Sequence, residues 1–222
     1  MSFQIAIDGP AGAGKSTIAK RVAKEKGIIY VDTGAMYRAM AYYLLKRGVD
    51  PGDKEAVERE CEGAQISISY DNGEQVVLLN GENVNGMIRT EEVGRITSDV
   101  SKYPRIRERI TLLQKELART NDMVMDGRDI GTCVLPDADV KVYLTASVEV
   151  RARRRYLELS EKGVSCDLEQ IAKDIEIRDH QDMTREISPL KQAEDAVLVD
   201  SSDMTIDEAV EVILNLCKGK QP

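Results

Sequence analysis

The chain has no tryptophan, a single phenylalanine (Phe3) and a single histidine (His180) among 222 residues. So few aromatic side chains exclude a platform for stacking successive single-stranded bases. One histidine with no nucleophile motif beside it excludes a Ser-His-Asp hydrolase, and His180 reads as part of a solvated helix face. Cys61, Cys133, Cys166 and Cys217 have no C-x-x-C spacing and no partner histidines. A zinc centre is therefore not expected, and the thiols read as reduced space-fillers. Positive charge is in deficit, since 31 Lys and Arg against 39 Asp and Glu leave a net charge of −8. That balance argues against long nucleic acids and anionic membranes as partners. No apolar stretch is long enough to span a bilayer, and no basic segment precedes an apolar one near the N-terminus. The expectation is a cytoplasmic monomer acting on small molecules.

What the chain does have begins at Gly9. Residues 9 to 17 read GPAGAGKST and follow the apolar run Phe3–Asp8. Gly9 and Gly14 let the backbone curl around an anion across Pro10, Ala11, Gly12 and Ala13, while a helix opening at Lys15 aims its positive end at the same point. In the spacing G-x-x-x-x-G-K-S, Lys15 reaches the outer phosphates of a triphosphate, and the Ser16 hydroxyl, followed by Thr17, is placed to ligate Mg²⁺. Ile18, Ala19, Val22 and Ala23 recur at helical offsets, and Gly27 is a helix stop. Such a loop serves motors, switches, transporters and kinases alike.

Five apolar runs, at 3–8, 28–31, 123–125, 140–144 and 196–199, alternate with helical patterns, which predicts a parallel sheet covered on both faces. With 42% hydrophobic residues the chain can bury a substantial core. Met36, Ala39, Met40, Tyr43 and Leu44 form one apolar helix face after the second run. Between Gln65 and Leu79 the pattern changes to two strand-like runs around Asp71-Asn72-Gly73, a hairpin signal with no natural place in a parallel core. Residues 62 to about 95 thus read as a small antiparallel insert in a single domain spanning 1–222. The C-terminal KGKQP reads as a frayed tail.

No N-K-x-D sequence for reading guanine occurs, which sets aside a signalling GTPase. A kinase needs a second anion site, built from guanidinium groups, facing the first. Met123-Val124-Met125 leads into DGRDIGT, so Asp126, Arg128 and Asp129 should emerge at the carboxyl edge of the sheet, with Asp126 placed to orient Mg²⁺ or its waters. VRARRRYLE puts Arg151, Arg154 and Arg155 on one helix face. IEIRDHQDMTREISP places Arg178, Asp182 and Arg185 at offsets of four and seven. That stripe is either a surface ion-pair ladder or a device in which Asp182 binds sugar hydroxyls while the arginines clamp phosphate.

Together GPAGAGKST, DTGAMYRA, DGRDIGT, VRARRRY and RDHQDMTREISPLKQAEDA resemble the bacterial cytidylate kinase family, nearly end to end. Adenylate kinase is less similar, because its D-G-F-P-R segment is replaced here by Asp126-Gly127-Arg128-Asp129. Met183-Thr184 departs from relatives in which serines are frequent. The resemblance implies a P-loop NTPase fold with a central parallel five-stranded sheet flanked by helices, the insert as an enlarged monophosphate-binding region, and a short lid at about 153–167. It implies transfer of the ATP γ-phosphoryl group to CMP or dCMP with Mg²⁺. Carried over, Thr33, Arg38, Arg128 and Arg185 surround the acceptor phosphate, and Arg178 and Asp182 contact the pentose. Ser98, Arg107 and Asp129 read cytosine, and Arg151, Arg154 and Arg155 close over ATP. From its own surroundings Arg107 also reads as a solvated arginine, and Asp129 as a brace for it. A small-metabolite kinase of the shikimate type and a nonenzymatic ATP-binding module stand as the rival readings.

Overall fold

Alternation of side chains along the strands decides the architecture. In β1 (Gln4–Asp8) Ile5 and Ile7 face one way and Ala6 the other, and Met123 and Met125 likewise oppose Val124 in a later strand. Both faces are therefore apolar, and a strand buried on both faces needs helices above and below. The computed structural model describes residues 2–220. After β1 come α1 (Lys15–Lys26), β2 (Ile29–Asp32), α2 (Thr33–Lys46) and α3 (Lys54–Glu60). An insert sheet follows, of β3 (Ile66–Asp71), β4 (Glu74–Leu79) and β5 (Glu82–Asn83). The chain continues through α4 (Glu91–Val100), α5 (Pro104–Thr120), β6 (Met123–Gly127) and β7 (Val140–Thr145). It closes with α6 (Val148–Glu161), α7 (Leu168–Thr184), β8 (Val197–Asp200) and α8 (Ile206–Leu216).

The main sheet is parallel throughout, in the order β2-β6-β1-β7-β8. One core lies between this sheet and α2, α4, α5 and the insert, around Met36, Met40, Leu44, Ile106 and Ile110. The other lies between the sheet and α1 and α8, around Ile18, Val22, Val140 and Ile213. Each fully buried Ile, Leu or Met of this kind contributes roughly 1.5–3 kcal/mol relative to exposure. α1 stops at Gly27, whose φ of 67° lets its N–H and that of Ile28 turn back onto the last helical carbonyls. From β1 the chain crosses to β2 on one side, and from β6, the neighbour of β1, it crosses back to β7 on the other, so the crevice at the carboxyl ends of β1 and β6 is where an open α/β sheet binds ligands.

The hairpin predicted around Asp71-Asn72-Gly73 is present, with φ of 50° at Asn72 and 81° at Gly73, the backbone of a tight primed turn. It has a third strand that the periodicity did not reveal. Asn80-Gly81, at φ 50° and 86°, reverses the chain a second time, and that Asn-Gly pair is a signal of the same kind. The insert docks on β2: the Asp32 N–H donates to Gln75 Oε1 at 2.7 Å and the Tyr70 hydroxyl donates to the Tyr30 carbonyl at 3.2 Å. Glu62 pairs with Arg105 and with Arg109 Nη1, the latter at 2.7 Å, and so ties the start of the insert to α5. Of the KGKQP tail, Gln221 and Pro222 lie outside the described residues, while the Lys220 ammonium donates to the Asp139 carbonyl at 3.0 Å.

Cys61 and Cys217 are buried as space-fillers, whereas Cys133 and Cys166 are partly exposed. His180 is exposed on α7, as expected. Among the described residues no helix is long and apolar enough to cross a membrane.

Candidate active site

The turn from β1 into α1 tolerates no side chain at its start. A Cβ on Gly9 would lie 1.9 Å from the Leu144 carbonyl oxygen of β7, so the loop can pass the sheet edge only as glycine. Gly14, at φ 86°, caps α1 from outside the helix. The first amides of α1 have no helical acceptors, which leaves a positive cradle facing the crevice. Lys15 is only 6% exposed and its ammonium donates to the Pro10 carbonyl at 2.8 Å. Burial, reinforced by Arg128, holds its pKa well below the ordinary lysine value.

Three side chains converge on Asp126 at the end of β6. Ser16 Oγ donates to Asp126 Oδ2 at 2.9 Å, the Tyr30 hydroxyl to Oδ1 at 2.8 Å, and Thr33 Oγ1 to the Asp126 carbonyl at 2.6 Å. Burial, and then the neighbouring Asp32, raise the Asp126 carboxyl. Tyr30 had no signature in the sequence beyond a strand position; its role follows from the β2–β6 pairing, which sets Asp32 opposite Asp126.

Beside this cradle the arginines gather. Arg128 Nε donates to Asp182 Oδ2 at 2.8 Å, and Arg185 Nη1 to Asp182 Oδ1 at 3.3 Å. Against the penalty of burial, Asp182 and Asp126 keep Arg128 firmly protonated. Arg38 and Arg178 are half-buried next to it, and among the described residues neither meets a carboxylate within ion-pair distance. Burial first, and then crowding by Arg128, bring Arg178 down to about 10; burial also lowers Arg38, which Arg89 and Arg128 crowd. Arg89, carried by the insert, reaches Asp32 Oδ2 at 3.1 Å. The Arg178–Asp182–Arg185 stripe is thus turned into the crevice rather than forming an ion-pair ladder on the surface. Guanidinium groups crowded together without matching carboxylates form a site for an anion.

At the far end of the crevice Arg107 is 3% exposed, which removes the solvated reading. Its Nη2 donates to Asp129 Oδ2 at 2.6 Å and its Nη1 to the Ser101 carbonyl at 3.0 Å, and it stacks over the Tyr37 ring with its centre 5.4 Å from the centroid. Among the described residues Arg107 Nε and Arg185 Nη2 are buried donors with no hydrogen-bond partner, although Arg185 Nη2 lies 3.7 Å from Asp129 Oδ1. Ser98 lies in the last turn of α4, half-buried, with its hydroxyl donating weakly to the Gly94 carbonyl at 3.4 Å. Buried orphan donors beside a half-free carboxylate suit a flat polar ligand.

The three α6 arginines expected to close over ATP have separate fates. Arg151 is 4% exposed, with Nη1 donating to Asp179 Oδ2 at 2.6 Å and to the Ala11 carbonyl at 3.0 Å. Arg154 reaches back to the Ser201 carbonyl at 2.7 Å and passes over Gly14. Arg155 pairs with Glu158 at 2.9 Å on the outer surface. Asp179, which also accepts from the Ala11 N–H at 3.4 Å, is, like Tyr30, a site residue that the sequence reading missed. Its position between Arg178 and His180 on α7 carries no motif of its own.

The crevice therefore has a phosphate cradle at one end, an arginine cluster in the middle and a buried polar recess at the other. A family model described as cytidylate kinase matches residues 5–219. The cytidylate kinase of Shouchella clausii is 52% identical over 97% of this chain and 96% of its own length. That of Lactobacillus johnsonii is 50% identical over 99% and 95%. A shikimate kinase structure from Bacteroides thetaiotaomicron is similar in fold, with a TM-score of 0.50 at 13% identity over 97% of this chain and 98% of that one. From the family match across nearly all its residues and from relatives identical at about half of them, the chain belongs to the cytidylate kinase family.

Proposed function

We propose that this chain transfers the γ-phosphoryl group of ATP to CMP or dCMP, giving ADP and CDP or dCDP, as a cytoplasmic monomer. The observation that carries the reading is the cluster of Arg38, Arg128 and Arg178 beside the Gly9–Thr17 cradle, in which Arg128 is paired with Asp182 while Arg38 and Arg178 have no carboxylate within ion-pair distance among the described residues. Two anion sites at one sheet edge suit a reaction between two phosphorylated substrates.

Phosphoryl transfer needs little covalent chemistry, so positioning and charge neutralisation supply most of the catalysis. Lys15 moves with its proton toward charge developing on the transferred group. Arg38, Arg128 and Arg185, with Thr33, hold the acceptor phosphate in line. Arg178 and Asp182 take the pentose, and Ser98, Arg107 and Asp129 meet the cytosine edge. Cytosine presents an N4 donor and an N3 acceptor, which match a carboxylate and a guanidinium in turn. The Ser16 hydroxyl and Asp126 carboxylate, 2.9 Å apart, are hard oxygen donors that fit Mg²⁺, which supplies neutralisation of the donor phosphates when bound. Residues 153–167, with Arg154 and Arg155, act as a lid and residues 62–95 as the acceptor-binding insert; their closure keeps water from consuming ATP. Arg151 holds the base of that lid against Ala11 and Asp179.

Coupled ADP release, measured across all nucleoside monophosphates, dCMP and a metabolite panel that includes shikimate, tests the reading. CMP and dCMP should turn over fastest. A metabolite preferred over CMP, or ATP binding with no acceptor-dependent ADP release, would overturn it.

A further inference from the structure

Asp8 is 5% exposed and stands at the last position of β1, directly before Gly9. Its two carboxylate oxygens accept separately from two consecutive amides just beyond the end of the neighbouring strand β6. The Ile130 N–H donates to Oδ1 at 2.8 Å and the Gly131 N–H to Oδ2 at 2.7 Å. Those amides open the helical turn Ile130–Val134, which has no side-chain cap of its own at Asp129. Immediately before them lie Arg128 and Asp129, the two residues whose side chains reach Asp182 and Arg107. The segment has no slack elsewhere: a Cβ on Gly127 would meet Ile130 Cδ1 at 2.7 Å and Thr33 Oγ1 at 2.9 Å, and one on Gly131 would lie 3.4 Å from Asp8 Oδ2. Nothing in the transfer reaction itself requires a carboxylate at this depth. Burial raises the Asp8 carboxyl to about 6, tempered by the two amide hydrogen bonds, so near neutral pH the carboxylate form accepts from both donors.

We infer that Asp8 is a positioning residue that holds the Arg128–Gly131 turn in register with the phosphate cradle, and through it sets the aim of Arg128 at the acceptor phosphate and of Asp129 at the acceptor base. The bidentate grip fixes both translation and rotation of the turn, which a single hydrogen bond would not. The carboxylate belongs to the donor strand while its effect falls on the acceptor, so its loss separates the two substrates kinetically. This inference rests on the CMP kinase reading for its kinetic half and on geometry alone for its structural half.

Asp8→Asn keeps the shape and one acceptor oxygen but turns an NH₂ group toward an amide; Asp8→Ala removes the grip altogether. Both variants and the parent are assayed with CMP and UMP at varied ATP, and amide hydrogen exchange is followed over residues 127–134. The expected result is a KM for CMP raised about tenfold, a lower kcat, a reduced CMP-to-UMP ratio of kcat/KM and an ATP KM within about twofold of the parent. Exchange at Ile130 and Gly131 should be slow in the parent and faster in both variants. The inference is overturned if those amides exchange freely in the parent, if ATP affinity falls while CMP kinetics hold, or if neither variant folds, which would make Asp8 a requirement of the fold. A parent inactive on CMP that still shows the exchange contrast would refute the CMP reading and leave the grip standing.

Discussion

Arg107 and Asp129, 22 positions apart in sequence, meet at 2.6 Å in a pair whose side chains are 4% and 7% exposed. Taking two charges this far out of water is expensive, and a pair kept for stability alone gains little over apolar packing. Its value lies in what it leaves open: among the described residues Arg107 Nε has no hydrogen-bond partner, and Asp129 Oδ1 faces Arg185 Nη2 at 3.7 Å.

Removing that carboxylate should change which base is accepted. Asp129→Ala is expected to lower kcat/KM for CMP by about 100-fold and to narrow the CMP-to-UMP ratio, because a site built around polar groups penalises the ligand that leaves them unpaired. Parallel initial-rate assays with both nucleotides check it; an unchanged ratio would mean that Asp129 does not read the base. The variant should also lose about 3 kcal/mol of stability, seen in urea unfolding, since Arg107 is left buried and unpaired.

Lys15→Met should cut kcat by at least about 100-fold while circular dichroism and the unfolding midpoint stay near the parent's. The lysine also carries a proton signature. Its pKa is depressed in the free protein, and an arriving phosphate raises it. Between the depressed value and the ordinary one, nucleotide binding therefore takes up a proton. Calorimetry at about pH 8.5 in buffers of different ionisation enthalpy should show uptake in the parent and none in Lys15→Met.

Asp126→Asn is expected to move the Mg²⁺ concentration for half-maximal rate upward by about tenfold, with Ser16 left without its carboxylate partner. A Mg²⁺ titration at saturating substrates checks this, and an unshifted curve would remove Asp126 from the metal's surroundings.

Asp8 predicts a pH dependence of stability with a defined sign. Its carboxyl titrates at about 6 in the folded chain against an ordinary 3.8, so the folded state holds the proton more tightly than the unfolded state does. The contribution is fully present below about pH 4 and is lost as pH rises through about 6, at most on the order of 3 kcal/mol. The stability of the parent relative to Asp8→Asn, from urea unfolding at several pH values, should fall across that window. A difference that is flat or rises with pH would contradict the raised carboxyl.

Gly9→Ala should be severely destabilising, by about 3 kcal/mol or more, because its methyl group would meet the Leu144 carbonyl, which is backbone and has nowhere to go. Thermal unfolding measures it, and a melting temperature equal to the parent's would show that the loop can move away from β7.

Much of this molecule is written in short-range pattern. The phosphate cradle follows from the spacing of Gly9, Gly14, Lys15 and Ser16. The first hairpin follows from Asn72-Gly73, because only residues that tolerate positive φ close a two-residue turn. The parallel sheet follows from apolar runs buried on both faces, and the stripe of Arg178, Asp182 and Arg185 follows from helical offsets. All of these depend on residues within a turn or two of one another, where backbone sterics and side-chain periodicity act. Tertiary structure decided the rest, because a charged side chain is solvated, paired or poised according to what the fold brings against it from far along the chain. Arg151 and Arg155 have the same chemistry and lie one turn apart on the same helix. Yet Arg151 is buried against Ala11 and Asp179 while Arg155 meets Glu158 at the surface. Tyr30 became a partner of Asp126 only through strand pairing, and Asp8 a partner of Ile130 and Gly131 only because β1 lies beside β6. Local sequence determined where anions can be cradled; burial and through-space pairing determined which charges were left free to hold them.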